Sequence, residues 1–142
     1  MQASDVKQVY ASGTAYTLTN TSTALDFGTT DPALTINGPG TWIIFSRVTL
    51  KYNAATFAAN RTVTIKLSRT NNTAADVTGA TTAHITNIIT TLTYTESVQI
   101  PPVLYTTTNG TDSITIKGDV SVVPTAGSLD VTEAEIIAIR IF

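Results

Sequence analysis

The sequence offers few of the side chains that carry out chemistry. It has no cysteine, which excludes disulfide bonds and thiolate metal sites, and it has a single histidine. Charged residues make up 13% of its 142 residues, well below the roughly 25% of an average soluble domain. The formal net charge is −2, so there is no basic field for nucleic acid or anionic lipid. We therefore expect no nucleic-acid partner.

Long hydrophobic runs are also missing. A membrane-spanning helix needs about 20 mostly apolar residues, and the longest apolar stretch here is only a few residues long. The first ten residues, MQASDVKQVY, have neither the basic nor the apolar segment of a secretory signal. We expect a protein without a membrane partner, made in the cytoplasm without a signal peptide. A chain of this length can bury one core, which predicts a single domain.

Threonine fills about a fifth of the sequence, and in many segments it alternates with Val, Ile or Leu. β-Branched residues suit a pleated, half-buried strand, and alternation sends neighbouring side chains to opposite faces. The segment RTVTIKLSRT alternates throughout, with Val63, Ile65 and Leu67 on one face. This pattern predicts an all-β protein.

Turn-forming residues divide the chain into about eight short strands, which predicts an antiparallel β-sandwich of the jelly-roll type. Residues 1–12 lack a sustained period and are predicted to form an N-terminal arm, followed by one jelly-roll domain over residues 13–142. A polar loop is expected over residues 71–79, and a long strand with a bend or bulge over residues 84–96. Pro101 and Pro102 cannot donate ladder hydrogen bonds, so we place them at a sheet edge or in a loop.

Two of the predicted strands are apolar on both faces. In TWIIFSRVTLKYN, Ile43 and Phe45 lie opposite Trp42 and Ile44, and EIIAIRIF repeats the pattern. A sandwich strand has one core face and one outer face, so the second apolar face needs a cover, most simply another copy of the chain. The candidates for this interface are Ile43, Phe45, Arg47, Ile136, Ala138, Arg140 and Phe142.

The order of GTWIIFSRVTLKYN, TVTIKLSRTNNT, DSITIKGDVSV and EAEIIAIRIF resembles the trimeric jelly rolls of the complement C1q and tumour necrosis factor superfamily. It resembles more closely the C1q-like modules of phage virion proteins. The resemblance extends over residues 24 to 142 and implies a tight threefold homotrimer, with the candidate interface at the axis. The aromatic-glycine signature of the complement proteins is replaced by AEIIAIRIF, so the resemblance implies the architecture and not a complement-like ligand.

Phage modules of this kind serve as capsid decoration proteins, fibre tips or adhesins. The sequence has no collagen-like stalk, heptad repeat or long linker, which resembles a decoration or cement protein on the capsid exterior, bound to the major capsid protein or another virion protein. In that reading the arm anchors the trimer to the shell through Val6, Val9 and Tyr10. The alternative is the receptor- or glycan-binding tip of a head or tail fibre, whose partner is a host surface glycan.

No enzyme chemistry is predicted. No Asp or Glu pair is spaced near His84, so we interpret it as an ordinary strand histidine. Glu133 and Glu135 share parity and resemble a carboxylate pair, but we expect them to be exposed or paired with Arg47 or Arg140. The sequence therefore predicts no catalytic residue, no cofactor and no metal site.

Two binding alternatives remain open. Three aspartates fall in predicted loops where calcium could bind, although without the spacing of a known calcium loop: Asp26, Asp31 and Asp112. Four aromatic residues fall near strand ends or loops, where they could stack on sugar rings, although we expect core or trimer packing: Tyr52, Phe57, Tyr94 and Tyr105.

Overall fold

The computed structural model describes residues 5–28, 30–71, 73–86, 91–108 and 110–142, without the side chains of residues 70–74 and 84–86. Strands make up most of these residues, which confirms the predicted all-β class. Among them, no helix is long and apolar enough to cross a membrane. The strands are β1 (Val6–Thr17), β2 (Thr23–Ala24), β3 (Ala33–Asn37), β4 (Gly40–Thr56), β5 (Arg61–Asn71), β6 (Thr73–Thr86), β7 (Leu92–Thr107), β8 (Thr111–Val120) and β9 (Ala126–Arg140).

The strands form two antiparallel sheets that pack face to face. The front sheet has the order β1-β9-β4-β7, and the back sheet has the order β2-β8-β5-β6, with β3 also paired to β8. Strands β2 and β3 pair with successive stretches of β8, residues 117–118 and 111–115. Because most consecutive strands lie in different sheets, the chain crosses the sandwich repeatedly, as in a jelly roll. The predicted architecture is confirmed.

The core lies between the sheets and takes every second residue of the long strands. In β5, Val63, Ile65 and Leu67 are 1%, 0% and 0% exposed, which confirms the face predicted from alternation. In the neighbouring β8, Ile114 and Ile116 are fully buried on the same side. The alternation of apolar and polar residues in the sequence therefore predicts correctly which face of the back sheet lies in the core.

Pro101 and Pro102 lie in β7, which is an edge strand of the front sheet, as predicted. Between the pairs Ile44–Val103 and Ser46–Ile100, β4 advances by two residues while β7 advances by three. The extra residue makes a β-bulge, and edges and bulges are where prolines fit in a sheet.

Residues 6–12 belong to the front sheet, which corrects the arm expected over residues 1–12. Their pairing with β9 runs without a break from Val6 opposite Ile139 to Ser12 opposite Glu133. Val9 packs against the core, and Ala11 is fully buried. An edge strand gains much of its stability from main-chain hydrogen bonds to its neighbour, which do not require apolar and polar side chains to alternate. The alternation in this segment is therefore too weak to predict a strand from the sequence.

Two further predictions about the middle of the chain are wrong. The segment 71–79, predicted to be a loop, contains the end of β5 and the first part of β6, which pair as a hairpin. The segment 84–96 contains two strands, because β6 ends at Thr86 and β7 begins at Leu92, and residues 87–90 lie outside the described part. Asn and Thr mark turns statistically, but here they also occur within the paired strands.

Replacing Ile65 by Ala should lower the free energy of unfolding by roughly 2–5 kcal/mol, because it leaves a cavity beneath a fully buried side chain. The matched change Thr64→Ala, one residue earlier on the opposite face, should cost less than about 1 kcal/mol. Chemical denaturation of both variants measures the difference. Equal losses would contradict the register of β5.

Candidate subunit interface

The outward face of the front sheet is formed by four adjacent strands. Side chains at directly opposed positions point to the same side of a sheet, so the register defines rows across this face. Two rows are largely apolar, namely Val6, Ile139, Ile43 and Leu104, then Gln8, Ile137 and Phe45. The next two rows are polar, namely Tyr10, Glu135, Arg47 and Gln99, then Ser12, Glu133, Thr49 and Ser97.

The apolar half of this face consists of Val6, Ile43, Phe45, Leu104, Ile137 and Ile139. Val6, Phe45 and Leu104 are 40%, 39% and 63% exposed, and the three isoleucines are half-buried. Monomeric soluble proteins rarely expose a contiguous apolar patch of more than a few hundred Å², and larger ones mark interaction sites. The apolar half is therefore the strongest candidate for a functional surface.

The polar half is held together by hydrogen bonds within the chain. The carboxylate of Glu135 accepts one from Gln8 Nε2 at 2.6 Å and one from Arg47 Nε at 2.9 Å. Glu133 accepts a hydrogen bond from Thr49 Oγ1 at 3.3 Å. The predicted pairing of Glu135 with Arg47 is confirmed, and it fixes the position of both charges beside the apolar half.

Glu133 also acts on Tyr10 in the polar half. It accepts a hydrogen bond from the phenol, and this raises the pKa of Tyr10 above its ordinary value of 10.0, with partial desolvation and the negative charge of Glu133 acting in the same direction. The phenolate would lose the hydrogen bond and face a second negative charge. Tyr10 thus acts as a hydrogen-bond donor to Glu133 on this face.

The predicted interface residues of β4 lie where the sequence places them. Ile43 and Phe45 are in the apolar half, and Arg47 is in the polar half beside them. Phe45, at 39% exposure, stands between Ile137 and the bulged part of β7. Their contact with another subunit stays a prediction.

The β9 part of the interface prediction is wrong. Ile136 and Ala138 are 0% exposed within a single chain, so they cannot also face another subunit. The outward residues are Ile137 and Ile139, which lie opposite Phe45 and Ile43. Residues 136–139 include no polar residue, and Arg140, which follows them, has the parity of the buried Ile136 and Ala138, so the wrong face was chosen.

A signal for the correct face was present in the sequence. Glu133 and Glu135 share parity with Ile137 and Ile139, and carboxylates are rarely fully buried. Extending the parity of the two glutamates along β9 would have identified the outward isoleucines. Leu104 has no such signal, because the bulge in β7 shifts its parity.

The remaining candidates lie at the end of the sandwich and along β1. Arg140 donates hydrogen bonds to the main-chain oxygens of Pro39 at 2.7 Å and Phe142 at 3.1 Å, so it is held within its own chain. Phe142 is 83% exposed.

Of the predicted anchoring residues, Val6 and Tyr10 belong to the outward face, whereas the third, Val9, packs on the core. This division corrects their assignment to a free arm.

Most of the aromatic candidates for sugar stacking are core residues. Tyr52, Phe57 and Tyr105 are 0%, 2% and 8% exposed, which confirms core packing for these three. The hydroxyl of Tyr105 donates a hydrogen bond of 2.7 Å to Asp112, which is 3% exposed and lies in β8, not in a loop. Tyr94 is 37% exposed and stacks on Tyr52 with ring centroids 4.5 Å apart.

The candidates for metal binding do not form a cluster. Among the side chains that the structure describes, no group of three or more His, Cys, Asp or Glu could hold a metal ion. Asp26 and Asp31 each accept a hydrogen bond from a main-chain amide of their own loop, at 2.7 Å and 3.3 Å. His84 lies in β6, but its side chain is outside the described part.

No protein-family model matches the sequence, and no curated protein matches it either. Solved structures do match the fold. The globular domain of zebrafish complement 1qA protein aligns with a TM-score of 0.55 and 10% identity, covering 97% of this chain and 97% of that chain. Eiger TNF from S. frugiperda aligns with a TM-score of 0.55 and 12% identity, covering 96% of this chain and 86% of that chain. The chain therefore has a C1q/TNF-like fold, and at this identity the likeness concerns the fold alone.

Replacing Glu133 by Gln should lower the pKa of Tyr10 toward 10.0, because the variant removes the negative charge and weakens the hydrogen bond that favour the neutral phenol. Tyrosinate absorbance during an alkaline titration measures the shift, and Tyr10→Phe identifies which transition belongs to Tyr10. An unchanged titration in the Gln variant would contradict the contact between Tyr10 and Glu133.

Proposed function

We propose that this protein is a homotrimeric structural virion protein, a capsid decoration or cement protein that binds and stabilises a phage head shell. The main support for a trimer is the apolar half of the outward face, where side chains such as Phe45 and Leu104 remain 39% and 63% exposed in a single chain. Removing apolar area from water contributes roughly 25 cal/mol per Å², so association of copies through this face is favourable.

The C1q/TNF-like fold supports three subunits in particular. The superfamily that the sequence resembles implies a threefold arrangement around the sheet that corresponds to the front sheet here. A closed ring leaves no unpaired copy of the face, whereas an open arrangement would build fibres. The polar half then places a hydrogen-bonded ion pair beside the apolar contact, as in interfaces with an apolar centre and a polar rim.

The decoration role is supported by the composition of the sandwich. A low content of charged residues and the absence of cysteine suit a rigid module used in many copies on a shell. The assignment to a phage head shell rests on the resemblance of the sequence to phage virion proteins.

A glycan-binding fibre tip is the second candidate function. It is favoured by Tyr94, which is 37% exposed while its ring is held by stacking on the buried Tyr52. A rigid, partly exposed aromatic ring near a strand end is the kind of group that stacks on a sugar. One such residue is a smaller feature than the apolar half of the front sheet, so decoration remains the main proposal.

Replacing Phe45 by Asp should convert the trimer into a folded monomer, because an unpaired carboxylate would be buried in the interface. The control is Val123→Asp, which places the same charge at another exposed apolar position, 44% exposed and outside this face. Light scattering after size exclusion gives the mass of each, and circular dichroism verifies folding. A Phe45→Asp variant that still elutes at the mass of the unmodified trimer would exclude this face as the interface.

The copy number per virion separates the two functions. A decoration protein should approach the copy number of the major capsid protein, whereas a fibre tip should occur in a few copies. Quantitative mass spectrometry of purified virions measures this ratio. A low ratio, together with binding of the purified protein to host glycans, would replace the decoration proposal with the fibre-tip function.

A further inference from the structure

The outward face of the front sheet contains a hollow of about 120 Å³ between β4, β7 and β9. Phe45, Ile137 and Pro102 line its apolar part, and Arg47, Glu135 and Gln99 line its polar rim. The hollow lies at the bulge, where the extra residue of β7 spreads that strand away from β4. We call it the Phe45 hollow.

The Phe45 hollow has the size and chemistry to take an aromatic ring. A closed apolar cavity of about 150 Å³ is known to bind benzene, and the Phe45 hollow is close to that volume. The Arg47 guanidinium stands at the rim, where it can lie against the face of a ring. Its 2.9 Å bond to Glu135 already holds it in place, which lowers the entropy cost of binding.

Of the four exposed aromatic residues in the described part of the chain, Phe142 is the most exposed. Tyr10 is hydrogen-bonded to Glu133, Phe45 lines the hollow itself, and Tyr94 is stacked on another ring. Phe142 is 83% exposed, the largest fraction among the exposed apolar residues of the described chain.

The main chain of Phe142 is fixed although its side chain is free. Its main-chain oxygen accepts hydrogen bonds from Thr41 N and from Arg140 Nε, both at 3.1 Å. Because the backbone is already anchored, binding would cost only the conformational freedom of the side chain itself. Phe142 lies five residues beyond Ile137, the lining residue of β9 nearest to it along the chain. Five extended residues span roughly 16 Å, which is too far for Phe142 to fill the hollow of its own chain.

We propose that the side chain of Phe142 from one subunit occupies the Phe45 hollow of a second copy of the chain. This inference rests on the proposed trimer and adds which parts of neighbouring subunits contact each other. The inserted residue and the hollow are different parts of the surface, so the contact is head-to-tail, and three such contacts close a ring.

Introduced cysteines test the pairing directly, because the sequence contains none of its own. Ile141→Cys lies next to the inserted residue and Gln99→Cys lies on the rim of the hollow, so the double variant should give covalent dimers and trimers with a short thiol cross-linker. The two positions are roughly 20 Å apart within one chain, too far for an internal link. Each single variant should remain a single chain on a denaturing gel.

The outcomes separate this inference from the proposed function. A trimeric mass with no cross-link in the double variant would overturn the pairing alone, and so would efficient cross-linking of Ile141→Cys to itself, which would place like residues together at the axis. A monomeric mass of the unmodified protein would overturn both the trimer and the pairing.

Truncating the inserted side chain gives a second readout. Phe142→Ala should weaken trimer assembly about 30-fold or more, as expected for an aromatic residue central to an interface. At concentrations where both proteins are monomeric, its thermal stability should equal that of the unmodified chain, because the side chain is 83% exposed in one chain. Val123→Ala, at an exposed apolar position elsewhere, should leave assembly unchanged. Equal assembly of the Phe142 and Val123 variants would overturn the proposal.

Discussion

A β-strand has two faces, and a single sandwich can bury only one of them against its own second sheet. In the front sheet this limit is reached, because β4 and β9 are apolar on both sides. Their inner residues, such as Ile44 and Ile136, fill the core and are fully buried. Their outer residues, such as Phe45 and Ile137, remain partly exposed to solvent in a single chain. Contact with a second chain would bury them. The proposed assembly follows from this surplus of apolar surface.

The two halves of the outward face have different roles in this account. The apolar half supplies the free energy of association, since burial of apolar area is favourable and has no preferred direction. The polar half restricts orientation, because Arg47 and Glu135 are paired within one chain and occupy fixed positions. Charged groups of this kind contribute more to specificity and register than to affinity. The Phe45 hollow lies where the two halves meet.

The sequence predicts the parts of this fold in which every residue carries a clear polarity. In β5 and β8, Thr and Lys alternate with Val and Ile, and the predicted core face is correct. In β9, Ile136 and Ile137 are equally apolar, so the sequence indicates the outward face only through the parity of Glu133 and Glu135, and the pairing with β4 establishes it. The strand over residues 6–12 was missed because it is held by its ladder with β9, a long-range contact that leaves no local pattern. The hollow depends on a bulge, which periodicity cannot locate.

We propose that other copies of the chain cover the outward face of the front sheet. An experimental structure of the protein in its solution assembly tests it most directly, through the change in exposure of Phe45, Ile137, Ile139 and Leu104 relative to one chain. We expect a threefold assembly in which these four side chains become buried against a neighbouring subunit. An assembly that leaves them facing solvent, or a monomer in solution, would contradict it.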